Sequence, residues 1–250
     1  MVLSGPAICA LRDRDVTRLH DRGHRARSPG PPRSTMRGVT TRIKHCGITS
    51  LDDAHAAAEA GAWALGMIFW EGSPRRCDPA EAQVIGASLR RTLELVGVFV
   101  NATLEEIDAI VHGAGLSIVQ CHGDEGPVFC AEVARRTGAK VIKAARVRSR
   151  AQLQAAAAFH TDFHLLDAYV EGLRGGTGET IDWELVRGQR LSTPIILSGG
   201  LNDDNVTAAI TACKPFAVDV ASGTELAPGV KDHAKLQAFA DAVHGVGVPS

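Results

Sequence analysis

The chain has 250 residues, a length that suits one domain or one domain plus a tail, and it is long enough to bury a large core. It is 45% hydrophobic and 22% charged, as in soluble globular proteins, and a formal net charge of -1 gives no indication of a nucleic-acid or membrane partner. No apolar run is long enough to span a bilayer, and the six scattered cysteines include no CxxC pair, which argues against a disulfide framework or a metal site. The composition predicts a cytoplasmic protein.

Residues 1–40 differ in composition from the rest of the chain. They contain "RLHDRGHRARSPGPPRSTMRG", which is rich in Arg, Pro, Gly and Ser and has little apolar periodicity. Such a segment buries too little apolar surface to offset the entropy of ordering it. It lacks the apolar stretch of a secretory signal, and Asp13, Asp15 and Asp21 argue against a transit peptide. We predict a disordered basic extension over 1–40; the alternative is that translation starts at Met36.

From residue 41 onward, short apolar runs alternate with alanine-rich segments of helical period. Two of these segments carry helix-start signals, at Ser50 and at Thr103 with Glu106 three residues later. Eight such units predict a single (β/α)8 TIM barrel of the α/β class over residues 41–250. A doubly wound sheet is the competitor, but no GxGxxG motif follows the first strand. The predicted strands are 42–44, 64–69, 95–100, 117–121, 141–144, 163–166, 194–197 and 217–220.

The stretch "RIKHCGITS" places Cys46 where the first strand ends, which is the end of a barrel strand that carries catalytic groups. Alternation along the strand puts Cys46 on the same face as Lys44 and turns His45 the other way. If that face is the barrel interior, Lys44 needs a carboxylate partner. Asp219 on the adjacent last strand is the predicted partner. A buried thiol that acts only as a small apolar group is the alternative for Cys46, and is our reading of the other five cysteines.

Three further strand ends carry polar candidates. Asp167 ends the sixth strand after apolar residues and is a candidate functional acid. The alternatives are that it caps a helix or belongs to an ion pair of the barrel. Gln120 and His122 share a face at the end of the fourth strand and are candidates for substrate contact; a structural histidine is the alternative. The loop "EGSPRRC" after the second strand offers Arg75 and its neighbour Arg76 to an anion, unless the loop is merely solvated.

Glycine-rich turns follow the seventh and eighth strands, as "LSGGLNDDN" and "VASGTE". Glycines let backbone N–H groups approach an anion closely, and a phosphate site at these two strands recurs in barrels. The segment "RGGTGETIDW" at 174–183 is a candidate lid or a further wall of that site. Ordinary turns are the alternative. The candidate phosphate-binding residues are Gly176, Gly178, Ser198, Gly199, Gly200, Ser222 and Gly223.

Taken together, these motifs resemble the phosphoribosylanthranilate isomerase family of tryptophan biosynthesis. The resemblance covers about residues 42–245. The motifs that carry it are "KHCGIT", "GSPR", "VGVFVN", "VQCHGDE", "LLDA", "GGTGETIDW", "LSGGLNDDNV", "VDVASGTE" and "PGVKD". The chain departs from the family pattern at His45, Cys121 and Ala221, where an apolar residue, a leucine and a serine are usual.

The resemblance implies an Amadori rearrangement of N-(5-phosphoribosyl)anthranilate, with Cys46 as the general base and Asp167 as the general acid. It implies that Arg75 contacts the substrate and that the glycine turns hold its phosphate. No cofactor and no obligatory protein partner are implied; the expected ligand is a small phosphoribosyl compound. The alternatives are the related isomerase of histidine biosynthesis, which uses aspartates for both roles, and a non-catalytic phosphosugar-binding barrel.

Overall fold

The computed structural model describes residues 41–147, 149–156, 158–167 and 192–246. The strands are β1 (Arg42–Cys46), β2 (Ala64–Ile68), β3 (Glu94–Phe99), β4 (Ile118–Cys121), β5 (Lys140–Arg146), β6 (Phe163–Asp167), β7 (Ile195–Ser198), β8 (Ala217–Val220), β9 (Glu225–Ala227) and β10 (Val230–Lys231). The helices are α1 (Leu51–Glu59), α2 (Pro79–Leu89), α3 (Leu104–Ala114), α4 (Pro127–Thr137), α5 (Arg150–Ala156), α6 (Val206–Cys213) and α7 (His233–His244). The predicted extension over 1–40 and the segment 174–183 lie outside the described residues. None of the described helices is long and apolar enough to cross a membrane.

Strands β1 to β8 are parallel, pair in chain order and close into a barrel, which confirms the predicted (β/α)8 fold. Closure comes from pairing between β8 and β1, where Lys44 lies opposite Asp219. Because all eight strands are parallel, their carboxyl ends form one rim, which we call the mouth of the barrel. In this order β7 and β8 lie between β6 and β1.

Side-chain alternation divides the apolar residues into two layers. One cluster fills the barrel interior and includes Cys46, Val96, Ile142 and Leu165. The larger cluster lies between the strands and the surrounding helices. His45 points into that outer layer, with its ring 6.0 Å from the ring of Phe239 in α7. The alternation predicted for β1 is therefore confirmed.

Local capping sets where the helices begin. Ser50 accepts a hydrogen bond from the Asp53 amide at the start of α1. Thr103 and Glu106 form the predicted capping box at the start of α3. Each such cap satisfies backbone donors that have no partner within the helix. The sequence signals at these two positions are confirmed.

Two features after β8 were not predicted. The residues after β8 form a short 3-10 helix, Ser222–Thr224, and then the antiparallel hairpin of β9 and β10. These strands have three and two residues, too few for a periodic pattern to emerge from the sequence. The hairpin matters because it folds over the first strand, as its contacts with Thr49 and Cys46 show.

Aromatic side chains close the end of the barrel opposite the mouth. Trp63 and Phe163 each lie within 5.6 Å of a neighbouring ring, and Phe216 contacts both of them. The guanidinium of Arg42 stacks over Phe216, 4.4 Å from the ring centroid. We call this group of four residues the aromatic floor. It belongs to the strand starts and shares no residue with the mouth.

Candidate active site

A buried ion pair supports the end of β1. Lys44 Nζ lies 2.7 Å from Asp219 Oδ1, and the lysine side chain is fully buried. Ser198 Oγ donates a second hydrogen bond to Asp219 Oδ2 at 3.0 Å. The predicted Lys44–Asp219 pair is therefore present. Burial opposes the lysine charge, but attraction to Asp219 and Cys46 outweighs it and raises the Lys44 pKa, so Lys44 stays cationic.

Cys46 is buried directly above this pair. Burial raises the pKa of its thiol, and the charge of Asp219 adds to the increase. Lys44 and Lys231 oppose the increase without reversing it. The cost of burying a thiolate therefore exceeds the gain from the two neighbouring cations.

Gly66 in β2 provides the space that Cys46 and Lys44 occupy, and sequence reasoning missed it. A Cβ at this position would lie 2.9 Å from Cys46 Sγ, 3.0 Å from Lys44 Nζ and 3.2 Å from Cys46 Cα. Because the last of these atoms is backbone, the neighbours cannot all move away. The absence of a side chain at Gly66 therefore helps define where the thiol lies.

We expect Gly66→Ala to lower kcat by about 10- to 100-fold, because it displaces the thiol that is predicted to act as the base, and a small misplacement of such a group slows the reaction. Steady-state kinetics and a melting curve measure the two effects separately. Gly113→Ala is the matched control, since a Cβ there meets only Gln83 Nε2 at 3.5 Å. An unchanged kcat in Gly66→Ala would show that the thiol position is not critical.

Asp167 ends β6 and faces His122 at the mouth. The Oδ2 atom of Asp167 lies 4.0 Å from His122 Nε2. Burial raises the pKa of Asp167 and the charge of Asp219 adds to this, while His122 and Arg146 oppose it. Asp167 therefore holds its proton to a higher pH than an ordinary aspartate.

Gln120 and His122 form the pair that the alternation along β4 predicts. The Gln120 amide nitrogen lies 2.7 Å from His122 Nδ1. With Gln120 as donor, Nδ1 is the acceptor and a neutral ring carries its proton on Nε2, toward Asp167. Burial lowers the pKa of His122, and Lys44 and Arg146 add to this against the opposing charge of Asp167. Gln120 is fully buried, so the ring alone reaches the mouth.

A cleft of about 260 Å³ opens between the ends of β3 and β6. Its lining includes His122, Asp167 and Arg146. Arg146, the last residue of β5, was not a candidate in the sequence analysis, because no recognisable motif surrounds the end of that strand. Asn101, also in the lining, has φ 52° and accepts the Asp124 amide at 2.8 Å. A Cβ at Gly123 would meet Asn101 Oδ1 at 2.4 Å, so glycine is required beside it.

Arg75 lies beside Gly47, just after the predicted base. A Cβ on Gly47 would be 2.9 Å from Arg75 Cδ. Glu225 holds the guanidinium with hydrogen bonds of 2.8 to 3.0 Å from Nη2 and Nε. About a quarter of the Arg75 side chain, 24%, is exposed toward solvent. Arg76, the other predicted arginine, is exposed, and its backbone forms a short parallel bridge to Ile68.

The two predicted glycine turns contact each other. A Cβ on Gly223 would lie 2.1 Å from the carbonyl oxygen of Leu201, so only glycine allows this approach. Gly199 and Gly200 have φ of 102° and 63°, which other residues rarely adopt. Asn205 supports this turn by donating to the Gly200 carbonyl at 2.9 Å. The turns at β7 and β8 thus form one continuous surface of the mouth.

The two serines among the predicted phosphate contacts have different surroundings. The Ser198 hydroxyl hydrogen-bonds Asp219 in the barrel interior, so in this arrangement its proton is not available to a ligand. Ser222 is exposed at the mouth and begins the 3-10 helix. Gly176 and Gly178 lie outside the described residues.

Comparison with known proteins identifies the family. The family model described as "N-(5'phosphoribosyl)anthranilate (PRA) isomerase" matches residues 43–242. A relative from Pseudomonas putida, named N-(5'-phosphoribosyl)anthranilate isomerase, is 48% identical over 81% of this chain and 97% of its own length. The chain belongs to the phosphoribosylanthranilate isomerase family. It is therefore an aldose–ketose isomerase of tryptophan biosynthesis, as the resemblance implied.

Solved structures of phosphoribosylanthranilate isomerases have the same fold. The enzyme from Thermotoga maritima is 39% identical, with a TM-score of 0.77 over 82% of this chain and 99% of that one. A second structure of the family, with TM-score 0.72 and 37% identity over 82% of this chain and 99% of that one, contains reduced 1-(o-carboxyphenylamino)-1-deoxyribulose 5-phosphate. The family match leaves residues 1–42 outside it.

Proposed function

We propose that this chain binds N-(5-phosphoribosyl)anthranilate across the mouth and isomerises it with Asp167 as general acid and Cys46 as general base. The strand order carries the proposal. The two glycine turns follow β7 and β8, which lie between β6 with Asp167 and β1 with Cys46. A sugar held by its phosphate at those turns has the acid on one side and the base on the other.

The first step opens the sugar ring. Asp167 must be protonated for this step, a form favoured by burial and by the charge of Asp219, which both raise its pKa. It gives its proton to the ring oxygen as the C1–O bond breaks, and the lone pair of the anthranilate nitrogen forms the C1=N iminium. His122 adjoins Asp167 and helps to hold the carboxyl in place. The substrate nitrogen supplies the electron sink, so this route uses no cofactor.

The second step moves a proton from C2. The Cys46 thiolate takes it, the C2–H electrons form a C1=C2 bond and the iminium nitrogen recovers its lone pair. The resulting enolamine becomes the 1-amino-1-deoxyketose when C1 gains a proton and the C2 hydroxyl loses one. Lys44 and Lys231 favour the thiolate against the cost of burial. The cationic iminium favours it further at the moment when it is needed.

Phosphate binding by the glycine turns follows from the close packing of Gly223 on Leu201 and from the positive φ of Gly199 and Gly200. Such turns direct backbone N–H groups at an anion without side-chain obstruction. Arg75, clamped by Glu225, adds a cation next to the base. We assign Arg75 to the anionic end of the substrate that is not the phosphate, namely the anthranilate carboxylate.

The test is turnover by the purified full-length chain. Phosphoribosylanthranilate should be consumed, seen as loss of its fluorescence, and inorganic phosphate should inhibit competitively. The imine substrate of the related histidine-pathway isomerase is the comparison substrate. Turnover of that compound alone would contradict the proposal, and so would binding of the phosphoribosyl ligand without any turnover.

We also propose a cytoplasmic location. Cys46, Cys77, Cys121 and Cys130 carry no disulfide. Thiols at these four positions fit a reducing compartment.

A further inference from the structure

Lys231, the last residue of β10, places a charged group beneath the mouth without any contact with solvent. Its side chain is fully buried. The ammonium donates to the carbonyl oxygen of Cys46 at 2.7 Å, to the carbonyl oxygen of Ala221 at 3.0 Å and to Glu225 Oε1 at 3.2 Å. A lysine has three donors, so all of them have partners.

These three acceptors belong to three different parts of the site. Cys46 is the proposed base. Ala221 immediately precedes Ser222 and Gly223 in the turn proposed to bind phosphate. Glu225 holds Arg75 through both of its carboxylate oxygens. One ammonium therefore connects the base, the phosphate turn and the clamped arginine.

The backbone of Lys231 is also anchored. Its amide donates to Asp53 Oδ2 at 3.1 Å, at the start of α1, and the preceding Gly229 carbonyl accepts from Thr49. The loop after β1 and the hairpin after β8 are thus joined by side chain and main chain together. Since burying an ammonium is costly, a purely apolar hairpin would pack at lower cost. The charge therefore needs an account beyond packing.

The electrostatic surroundings of Cys46 explain why Lys231 is charged although it is buried. Lys44, from below, and Lys231, from the hairpin, are the two cations that lower the pKa of Cys46 against burial. Each of them also pairs with a carboxylate, Lys44 with Asp219 at 2.7 Å and Lys231 with Glu225 at 3.2 Å. Burial lowers the pKa of Lys231 itself, and Glu225 and Cys46 counteract this. The charge on Lys231 and a charge on Cys46 therefore stabilise each other.

We propose that Lys231 is a positioning residue that aligns Cys46, the phosphate turn and, through Glu225, Arg75, and that its charge stabilises the reactive thiolate. This rests on the proposed role of Cys46 as the base. Lys231 does not contact the substrate; it acts on the groups that do.

The test is Lys231→Met, which keeps the length of the side chain and removes its charge. Losing a neighbouring opposite charge raises the pKa of the Cys46 thiol further and makes the thiolate harder to form, so kcat should fall by about 10-fold or more. The rate at which iodoacetamide modifies Cys46, followed by peptide mass mapping, should fall by a similar factor near neutral pH. A merely structural lysine would change the melting temperature and leave this alkylation rate unaltered.

Lys140→Met is the matched control. Lys140 begins β5 at the opposite end of the barrel, where it pairs with Glu94 at 2.7 Å, and its replacement should leave kcat and the alkylation rate unchanged. A folded Lys231→Met variant with wild-type values of both would overturn the proposal. If Cys46→Ala nonetheless abolishes turnover in the same assay, the base assignment stands and only the inference about Lys231 fails.

Glu225→Gln provides a second test if Lys231→Met does not fold. It preserves the shape of the clamp but removes the charge that holds Arg75 and pairs with Lys231. We expect KM to rise by about 10-fold or more, because a charge-assisted pair is lost, with a smaller change in kcat. A wild-type KM would overturn the proposal that the hairpin aligns Arg75.

Discussion

Replacing Cys46 by alanine is expected to lower kcat by about 10²- to 10⁴-fold, the range for a general acid or base, with little change in KM. The variant removes the group that takes the C2 proton and leaves the phosphate turns and Arg75 in place. Cys46→Ser should behave almost like alanine, since a hydroxyl is a far weaker base near neutral pH. Cys213→Ala, a half-buried cysteine in the last turn of α6, is the control and should keep its kcat. If Cys46→Ala keeps more than about a tenth of the wild-type kcat, the thiol is a packing residue.

Asp167→Asn tests the other half of the same mechanism. The amide keeps the shape and hydrogen bonding of the carboxyl but cannot donate an acidic proton to the ring oxygen. We expect a loss of kcat of similar order, about 10²-fold or more. Asp241→Asn, on the exposed face of α7, is the matched control. A large rise in KM at constant kcat would instead make Asp167 a binding residue.

The second large effect is expected on acid stability, through His45. Its ring is fully buried, and neither nitrogen has a hydrogen-bond partner among the described residues. Burial lowers the pKa of His45 to about 3, and the charges of Lys231 and Lys44 contribute. The unfolded chain binds this proton below about pH 6.5, whereas the folded chain does not bind it until about pH 3.

Between these values the unfolded state holds more protons, so the free energy of unfolding falls as the pH is lowered from 6.5 toward 3. The cost of His45 approaches about 5 kcal/mol at the acid end and vanishes above pH 6.5. His45→Leu removes it and also removes two unsatisfied buried nitrogens, worth about 1–3 kcal/mol at neutral pH. We therefore expect the variant to be more stable at every pH, with the largest gain near pH 3.

Urea unfolding at several pH values measures this difference. His55→Leu is the control, because His55 is exposed on α1, and its replacement should leave the pH dependence unchanged. His164 is also buried with a lowered pKa, so the wild type retains some acid sensitivity from a second source. Only the difference between wild type and His45→Leu reports on His45. Parallel curves for the two proteins would show that His45 is accommodated without cost.

The barrel and the face assignments were predictable because they depend on local periodicity. Eight repeated units, two capping signals and the alternation along β1 are all encoded within short windows of sequence. Even the Lys44–Asp219 pair, 175 positions apart, followed once closure of the barrel made β1 and β8 neighbours. A long-range contact is predictable when the topology supplies its register.

The rest of the site could not be predicted from the sequence, and the reason is physical. The Arg75–Glu225 clamp joins the loop after β2 to the short strand β9, 150 positions along the chain, and no strand register places that loop. Gly66 is required because the side chains of Cys46 and Lys44 occupy the space that a Cβ would need. A single glycine in a strand does not reveal this from the sequence. The direction of the Cys46 pKa depends on the balance between burial and two cations, and the sequence states which charges exist but not how deeply the thiol is buried.

The aromatic floor has a consequence for how this chain tolerates change. This group packs together at one end of the barrel. The proposed acid, the proposed base and the glycine turns are at the other end. Effects of substitutions at distant sites with no shared partner add independently. Substitutions that stabilise the aromatic floor can therefore offset the loss of unfolding free energy caused by destabilising substitutions at the mouth. The same separation means that a related protein can lose the isomerase activity through changes at the mouth and still keep this fold.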